Sequence, residues 1–194
     1  MPKVSAEHVQ ARQEQILDGA RRAFARHGYH GATVARLEKE VGLSRGAIFN
    51  YYLDKWSLFL ALVVKDRYRF FDVLSSEGLD GLLRQMTEES PEWLGVYFEL
   101  AHRLRTNPEL MQDLTDAAPE EARQAEALFA SWQKEGEIRT DVSLETVIQF
   151  VNVVANGMAL ATALGLTFDV DSFLKLVHAG IDGQSSPSSD PSTA

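Results

Sequence analysis

Two helical patterns separated by a glycine turn occupy residues 33–52, TVARLEKEVGLSRGAIFNYY. Thr33 can cap the first helix, whose apolar residues recur at the spacing of one helix face: Val34, Leu37 and Val41. Gly42 permits a sharp turn, and Ser44 can cap a second helix that begins at Arg45. Two helices joined by such a short turn form a helix-turn-helix, whose second helix enters the major groove of DNA.

The composition indicates a soluble globular protein. Of its 194 residues, 45% are hydrophobic and 24% are charged, which suits a protein with a sizeable core. The absence of cysteine excludes disulfides and thiolate metal sites. No apolar run approaches the roughly 20 residues that span a bilayer, and the N-terminus lacks the apolar segment of a signal peptide. We therefore expect a cytoplasmic protein without a membrane partner.

The net charge of −9 is unevenly distributed along the chain. Residues 1–55 contain nine Lys/Arg and six Asp/Glu and are net +3, whereas the remainder is net −12. DNA binding requires a local basic face rather than a basic protein, and an acidic remainder helps to orient the docking by repulsion. The acidic residues are equally compatible with ordinary solvated helix surface.

Helical spacing of apolar residues continues along the chain as far as about residue 181. It predicts helices over about 11–27, 33–41, 45–51, 55–74, 78–88, 91–106, 108–116, 119–135, 143–164 and 169–181. Three prolines fall in the first turn of a predicted helix, where proline is tolerated: Pro91, Pro108 and Pro119. No alternating run is long enough to count as a strand, so the sequence predicts an all-α fold.

Four stretches around the helix-turn-helix follow one another in a characteristic order: ILDGARRAFARHGYHGAT, VARLEKEVGLS, RGAIFNYYLDK and WSLFLAL. Over residues 11–62 this order resembles the N-terminal domain of the TetR family of transcriptional regulators. The resemblance implies a regulator, by default a repressor, that is not an enzyme. It also implies that a homodimer binds a palindromic operator and is released by a small-molecule effector.

The resemblance also predicts how the chain is divided. Residues 10–70 form an N-terminal three-helix helix-turn-helix DNA-binding domain, and residues 71–182 form a C-terminal helical domain for ligand binding and dimerisation. The boundary lies inside a helix because no Pro/Gly linker separates the two halves. Residues 183–194 are rich in Ser and Pro and are predicted to be disordered, and residues 1–9 are predicted to be a loose arm.

Several segments look closer to the actinobacterial aconitase repressors than to the family average. These are Arg-Leu-Glu in the second helix, Ser-Arg-Gly-Ala-Ile-Phe in the third, and the segments 104–108 and 138–142. There are also departures from the family pattern. Glu38 stands where a small residue is usual, Tyr51 where His is common, and Tyr52 where Phe is common.

The motif places eight residues at the DNA surface: Thr33, Ser44, Arg45, Gly46, Ala47, Asn50, Tyr51 and Lys55. Arg45 can pair bidentately with guanine, a contact worth about 1–3 kcal/mol of discrimination, or it can hold a phosphate. Asn50 can read a base edge or a phosphate, and Tyr51 is expected to hydrogen-bond the DNA backbone. Thr33 and Lys55 lie at helix starts, where free N–H groups favour phosphate. The small residues permit close approach.

The last two long helices, 143–164 and 169–181, are the expected dimer face. A specific regulator needs a two-fold dimer because one helix-turn-helix contacts too little DNA. In the family, such helices pair into a four-helix bundle. Their many apolar residues are also compatible with an internal core.

Helix 143–164 is apolar except for one polar stripe: Glu145, Gln149, Asn152 and Asn156. The stripe is compatible with a ligand pocket, a solvent edge or a polar seam in the dimer. Helix 91–106 adds groups for an anionic ligand: Tyr97, Glu99, His102, Arg103 and Arg105. The subgroup resemblance implies an organic acid such as citrate as effector, although Asn152 stands where a carboxylate is expected.

The alternative function is a helical-bundle metal- or ligand-binding protein without operator binding. Glu99 and His102 form one Glu-x-x-His motif, but di-metal sites in bundles need two copies and two further Glu. No phosphate-binding glycine loop, zinc-protease motif or nucleophile motif is present in the sequence. We therefore expect no cofactor and no enzymatic activity.

Overall fold

The computed structural model describes residues 6–183, and these residues form nine helices. The helices are α1 (Ala6–Gly31), α2 (Val34–Val41), α3 (Arg45–Phe49), α4 (Lys55–Glu88), α5 (Pro91–Thr106), α6 (Pro108–Asp116), α7 (Pro119–Glu135), α8 (Leu144–Ala163) and α9 (Val170–Ile181). Over the described range, extended pairing is limited to one isolated bridge between Ile138 and Asp182. The predicted all-α fold is confirmed.

Local chemistry explains most helix boundaries. Gly42 ends α2 with a left-handed φ of 74°, which costs glycine little. The Ser44 side chain accepts a hydrogen bond at the start of α3, and Asp54 forms a reciprocal capping box at the start of α4. Thr33 occupies the N-cap position of α2, but its side chain makes no capping hydrogen bond, contrary to the prediction.

Two helices are longer than the sequence predicts. Helix α1 begins at Ala6 rather than near residue 11, so residues 6–9 are helical instead of forming a loose arm. Helix α4 includes both predicted segments and is interrupted at Gly78, where φ is 70°. The predicted disordered tail, except for its first residue, lies outside the described residues.

The protein has two hydrophobic cores, and α4 and α5 contribute residues to both. The first core joins α1, α2 and α3 to α4 as far as Val63, and α5 supplies Trp93 and Leu100. The second core begins on α4 at Leu74 and includes residues of α5, α7, α8 and α9. The proposed domain boundary after residue 70 falls between the two sets on α4.

Helix α8 departs from the expectation that no apolar run reaches membrane-spanning length. Among the described residues, α8 is the one helix long and apolar enough to cross a membrane by length and composition. It packs instead against α4, α5 and α7. The apolar residues of α8 therefore pack against these helices, line a cavity and form an exposed face.

Candidate nucleic-acid interface and effector cavity

One side of the candidate recognition helix α3 packs into the first core, and the other side is exposed to solvent. Ile48 is fully buried in the first core, and Phe49 packs partly against it. Arg45, Gly46 and Asn50 are exposed. Of the other predicted DNA contacts, Thr33 and Ser44 are also exposed. The remaining three are half-buried: Ala47, Tyr51 and Lys55. The fold therefore presents a polar, basic surface around α3.

Glu38 holds the N-terminus of α3 in place. Its Oε1 accepts a hydrogen bond from the backbone N–H of Arg45, with a separation of 2.6 Å. This carboxylate satisfies one of the free N–H groups that begin a helix. The sequence identified Glu38 only as a departure from the family pattern, and its structural role was missed.

Lys55 is held against the end of α1. Its Nζ donates to the Tyr29 carbonyl oxygen at 2.7 Å and lies 4.5 Å from the centre of the Tyr29 ring. Burial lowers the pKa of Lys55, and repulsion from Arg103 lowers it further. A phosphate contact by the Lys55 side chain therefore requires its ammonium group to leave or share the Tyr29 carbonyl.

The sequence also missed Leu53, which lies directly after α3. Its side chain is 89% exposed, the largest exposure among the large apolar residues of the described chain. No periodic pattern identifies such a residue, because it lies in the short turn between α3 and α4. Its place beside Asn50 and Tyr51 in the chain adds an apolar group to the candidate DNA surface.

Helix α5 contacts the last turn of α1, which follows a kink at Gly28 with a φ of 69°. The Glu99 carboxylate accepts hydrogen bonds from the backbone N–H groups of Tyr29 at 2.8 Å and His30 at 3.0 Å. The Arg103 guanidinium lies 5.4 Å from the centre of the Tyr29 ring. Arg103, which was predicted at the effector site, therefore lies on the DNA-binding domain.

The predicted Glu-x-x-His motif does not form a metal site. Glu99 binds backbone N–H groups, and His102 is exposed with its Nδ1 3.5 Å from Arg105. Residues 6–183 contain no group of three or more His, Asp or Glu side chains suited to a metal ion. This geometry gives no support to the metal-binding alternative.

A cavity of about 700 Å³ lies between α4, α7 and α8, with residues of α5 and α6 also in its wall. Most of its lining is apolar, and the polar stripe of α8 forms one side: Glu145, Gln149, Asn152 and Asn156. Tyr97 also lines the cavity. Of the predicted effector residues, the cavity thus brings together Tyr97, Gln149, Asn152 and Asn156. His102, Arg103 and Arg105 lie elsewhere because they occupy other faces of α5.

The cationic group of the cavity is Arg67, which the sequence analysis did not single out. Its guanidinium forms an ion pair with Glu121, with N–O separations of 2.8 and 2.9 Å. Glu126 and Glu145 add two further carboxylates to the lining. Arg67 lies within the charged segment Lys65–Arg69 of α4, where no spacing distinguishes it from its neighbours.

Comparison with known proteins agrees with this arrangement. Residues 16–62 match the sequence profile described as "Bacterial regulatory proteins, tetR family". The chain is 39% identical over 167 residues to the HTH-type transcriptional repressor Rv1474c of Mycobacterium tuberculosis, covering 85% of this chain and 89% of that protein. It is also 39% identical to the HTH-type transcriptional repressor AcnR of Corynebacterium efficiens, covering 89% and 93% respectively.

The chain belongs to the TetR family. Its resemblance to the actinobacterial repressor subgroup is confirmed by the same two relatives. The solved structure of Salmonella enterica GusR has the same fold, with a TM-score of 0.71 at 22% identity over 92% of this chain and 98% of that one. The protein is therefore a DNA-binding transcriptional regulator, a class distinct from enzymes.

This TetR-family protein has an exposed apolar face on α8. The face has spacings of three and four residues: Phe150, Val153, Gly157, Leu160 and Leu164. Val153 is 71% exposed, and Phe173 and Leu176, three residues apart, form a shorter apolar row on α9 with exposures of 36% and 71%. Scattered apolar residues are common on protein surfaces, whereas a continuous row on one helix is a candidate interaction surface.

Proposed function

We propose that this TetR-family protein represses transcription as a homodimer on a palindromic operator and is released by a small molecule in the α4–α8 cavity. The observation that carries the proposal is the presentation of α3. Ile48 is buried, Glu38 secures the helix N-terminus, and Arg45 and Asn50 are exposed. An exposed polar helix secured at one end is suited to enter a major groove.

Each residue of the candidate interface has a physical role in this proposal. Arg45 reads guanine O6 and N7, and Asn50 reads a neighbouring base or phosphate. Tyr51 hydrogen-bonds the DNA backbone through its hydroxyl. Gly46 has open space around the position of a Cβ, so the backbone there can approach DNA closely. Ala47 supplies a methyl group for contact with thymine.

The contacts that flank α3 fix its register on the duplex. Thr33 lies at the N-terminus of α2, where no side-chain cap occupies the backbone N–H groups and they can attract phosphate. Ser44 is exposed at the start of α3, where its hydroxyl can donate to a phosphate. Lys55 contributes a positive charge at the start of α4. Such phosphate contacts position the protein without specifying sequence.

The homodimer is supported by the exposed apolar rows of α8 and α9. Two copies of these helices can pack into a four-helix bundle that covers Val153 and Leu176. A two-fold axis through that bundle presents the two α3 helices to the half-sites of a palindrome. Burial of two such helices per subunit also removes apolar surface from water.

The cavity supports regulation by a mainly apolar effector. Its volume of about 700 Å³ suits a molecule of drug size. The organic acid that the subgroup resemblance implies would have to displace the Glu121 carboxylate from Arg67, because no other cation lines the cavity. Glu126 and Glu145 would further repel it. We therefore favour an uncharged molecule or one that donates hydrogen bonds to these carboxylates.

Selection of bound duplexes from a random pool tests the central proposal. The purified full chain is expected to enrich a palindrome, with affinity that falls as salt increases. Arg45→Ala is expected to lose the operator preference. The free energy of discrimination should fall by about 1–3 kcal/mol, because a bidentate guanine contact is lost. Lys39→Ala, which removes an exposed charge on α2, is the matched control and should keep the preference.

Two results would contradict the assignment of α3 as the recognition helix. One is unchanged base preference in Arg45→Ala, and the other is a protein that binds all duplexes equally. Titration of the operator complex with citrate and with uncharged aromatic compounds then separates the two effector classes.

A further inference from the structure

A buried carboxylate joins the effector cavity to the first helix of the DNA-binding domain. Asp66 of α4 is 2% exposed, and among the described residues it is the one charged side chain that is buried. Its Oδ2 accepts hydrogen bonds from the Trp93 indole at 2.8 Å and from the Tyr97 hydroxyl at 3.1 Å. Its Oδ1 pairs with Arg21 of α1. Three helices therefore meet at one side chain.

Tyr97 is the member of this group that a molecule bound in the large cavity can reach. It lines the large cavity and also a smaller one of about 130 Å³, whose wall includes Asp66 and Trp93. Its ring packs edge-on against Trp93, with centroids 5.4 Å apart. Burial raises the pKa of Tyr97 well above its ordinary value, and the Asp66 charge raises it further, so the hydroxyl remains a donor.

Arg21 is the member that reaches the DNA-binding domain. Its guanidinium lies 4.5 Å from the centre of the Trp93 ring and 3.8 Å from Glu89. Arg69 bridges Asp66 and Glu89, so two carboxylates and two guanidinium groups balance each other. Asp66 is buried although its partners Arg21 and Arg69 are partly exposed, and a buried carboxylate that loses a cationic partner is destabilising. The network therefore has few arrangements that satisfy every charge.

A second contact also connects α5 to α1. Glu99 lies two residues beyond Tyr97 and accepts hydrogen bonds from the backbone N–H groups of Tyr29 and His30. A shift of α5 at Tyr97 therefore also displaces the last turn of α1, which directly precedes α2.

We propose that Tyr97 and Asp66 are the positioning residues through which occupation of the cavity moves α1 and the helix-turn-helix. This inference rests on the proposed function, because it describes how the same cavity is coupled to operator binding. A molecule against the Tyr97 ring withdraws its hydroxyl from Asp66. Asp66 then changes its contact with Arg21, and α1 carries the change to α2 and α3 through the first core.

A cavity-filling substitution tests the coupling without knowledge of the effector. Ala159 lines both cavities and is 6% exposed, so Ala159→Phe places a ring beside Tyr97. Ala155→Phe, at a half-buried position of the large cavity, serves if the first variant fails to fold. Ala130→Phe is the matched control because Ala130 is exposed on α7 and does not line either cavity.

The first measurement is independent of DNA. The protein has three tryptophans, and the indole N–H signal of Trp93 can be assigned in a nitrogen–proton NMR spectrum by the variant Trp93→Phe. Because Trp93 lines the smaller cavity together with Ala159, its indole signal reports occupation of the cavity, whereas the Arg21 backbone signal reports the coupling, since Arg21 lines neither cavity. Both signals are expected to shift in the cavity-filling variant and to stay in place in Ala130→Phe. An unshifted Arg21 signal in a folded cavity-filling variant would overturn the coupling.

The second measurement is a double-mutant cycle in operator affinity. The cavity-filling variant is expected to weaken binding about tenfold, within the usual range of coupling between two sites. Tyr97→Phe removes only the hydroxyl and is expected to weaken binding about 3- to 10-fold, as for one hydrogen bond. Their combination should be less than additive, because both act through the same contact.

The two measurements separate the inference from the proposed function. Additive losses in the cycle contradict the role of Tyr97, even if the operator is real. Shifted Trp93 and Arg21 signals in a protein that binds no operator contradict the proposed function but retain the coupling between cavity and α1.

Discussion

At the scale of single residues, Glu38 combines two opposing effects. Its carboxylate holds the N-terminus of α3 by accepting the Arg45 N–H at 2.6 Å. The same negative charge lies next to the residue that is proposed to contact DNA, where it repels phosphate. The structural benefit needs only a hydrogen-bond acceptor, whereas the repulsion needs the charge. The two effects can therefore be separated by substitution.

Glu38→Gln is expected to tighten binding to all duplexes by about three- to tenfold at low salt, since the amide oxygen can still accept the Arg45 N–H while the charge is lost. Operator preference should change little. Fluorescence anisotropy with the operator and with a scrambled duplex measures both affinities at several salt concentrations.

Glu38→Ala is the control for this prediction. It removes both the charge and the acceptor, so α3 loses a partner for its first N–H group, and operator preference is expected to fall. A tightening that is confined to the operator in Glu38→Gln would show that Glu38 acts on sequence reading rather than on charge.

At the scale of helices, His178 fastens α9 to α4. Its Nε2 lies 2.6 Å from Asp80 and its Nδ1 lies 2.9 Å from Asp182. Hydrogen bonds to Asp182 and then to Asp80 raise the pKa of His178 above 6.5. Arg84, close to Asp80 on α4, is itself paired with Asp171 of α9. Both nitrogens can donate only in the imidazolium form.

The pH dependence follows from the direction of this shift. Because the folded-state pKa is raised, the contribution of His178 to stability is fully present below pH 6.5 and is lost as the pH rises through the folded-state value. We expect His178→Ala to lower the melting temperature more at pH 6 than at pH 9. The effect should be small because the side chain is 40% exposed.

His102→Ala is the control for thermal unfolding, since His102 contacts Arg105 rather than a carboxylate. A melting-temperature difference for His178→Ala that stays constant from pH 6 to pH 9 would contradict the role of its charge.

Helix boundaries could be predicted from the sequence because their causes are local. Proline begins α5, α6 and α7, as expected from its tolerance in the first turn. Gly42 and Ser44 likewise separate α2 from α3 by their own backbone and side-chain preferences. The predicted break after Ser75 is present as a kink at Gly78, whose φ is 70°, although the helical segments on its two sides run closer together than expected.

The contacts of the ligand site could be predicted only in part, because they depend on packing between distant segments. Periodicity placed Gln149, Asn152 and Asn156 on one face of α8, and the cavity has that face in its wall. It could not show that Arg103 turns towards Tyr29, or that Arg67 becomes the cation of the cavity. Those outcomes depend on how α5 and α4 are rotated in the fold.

At the scale of the whole molecule, the distribution of charge and apolar surface is consistent with a dimer on DNA. The basic residues lie towards the N-terminus, the chain beyond residue 55 is net −12, and the apolar rows are on the last two helices. In a two-fold dimer, the acidic C-terminal domains would face away from the duplex. The apolar rows would be buried between the subunits.

Val153→Glu tests this arrangement, because the two-fold axis would bring two new carboxylates into the apolar interface at once. Val153 is 71% exposed in the single chain, so the substitution should leave the fold of a monomer intact. Burial of unpaired charge costs several kcal/mol, and we expect the variant to sediment as a monomer at micromolar concentration. Its operator affinity should fall by about 100-fold or more, since each monomer can contact only one half-site.

Met111→Glu is the matched control for the dimer prediction, because Met111 is 49% exposed on α6, away from the rows of α8 and α9. That variant should remain a dimer and retain operator binding. A Val153→Glu protein that still sediments as a dimer would move the interface away from this face of α8. Retained operator affinity in a monomeric Val153→Glu protein would instead show that one subunit suffices for recognition.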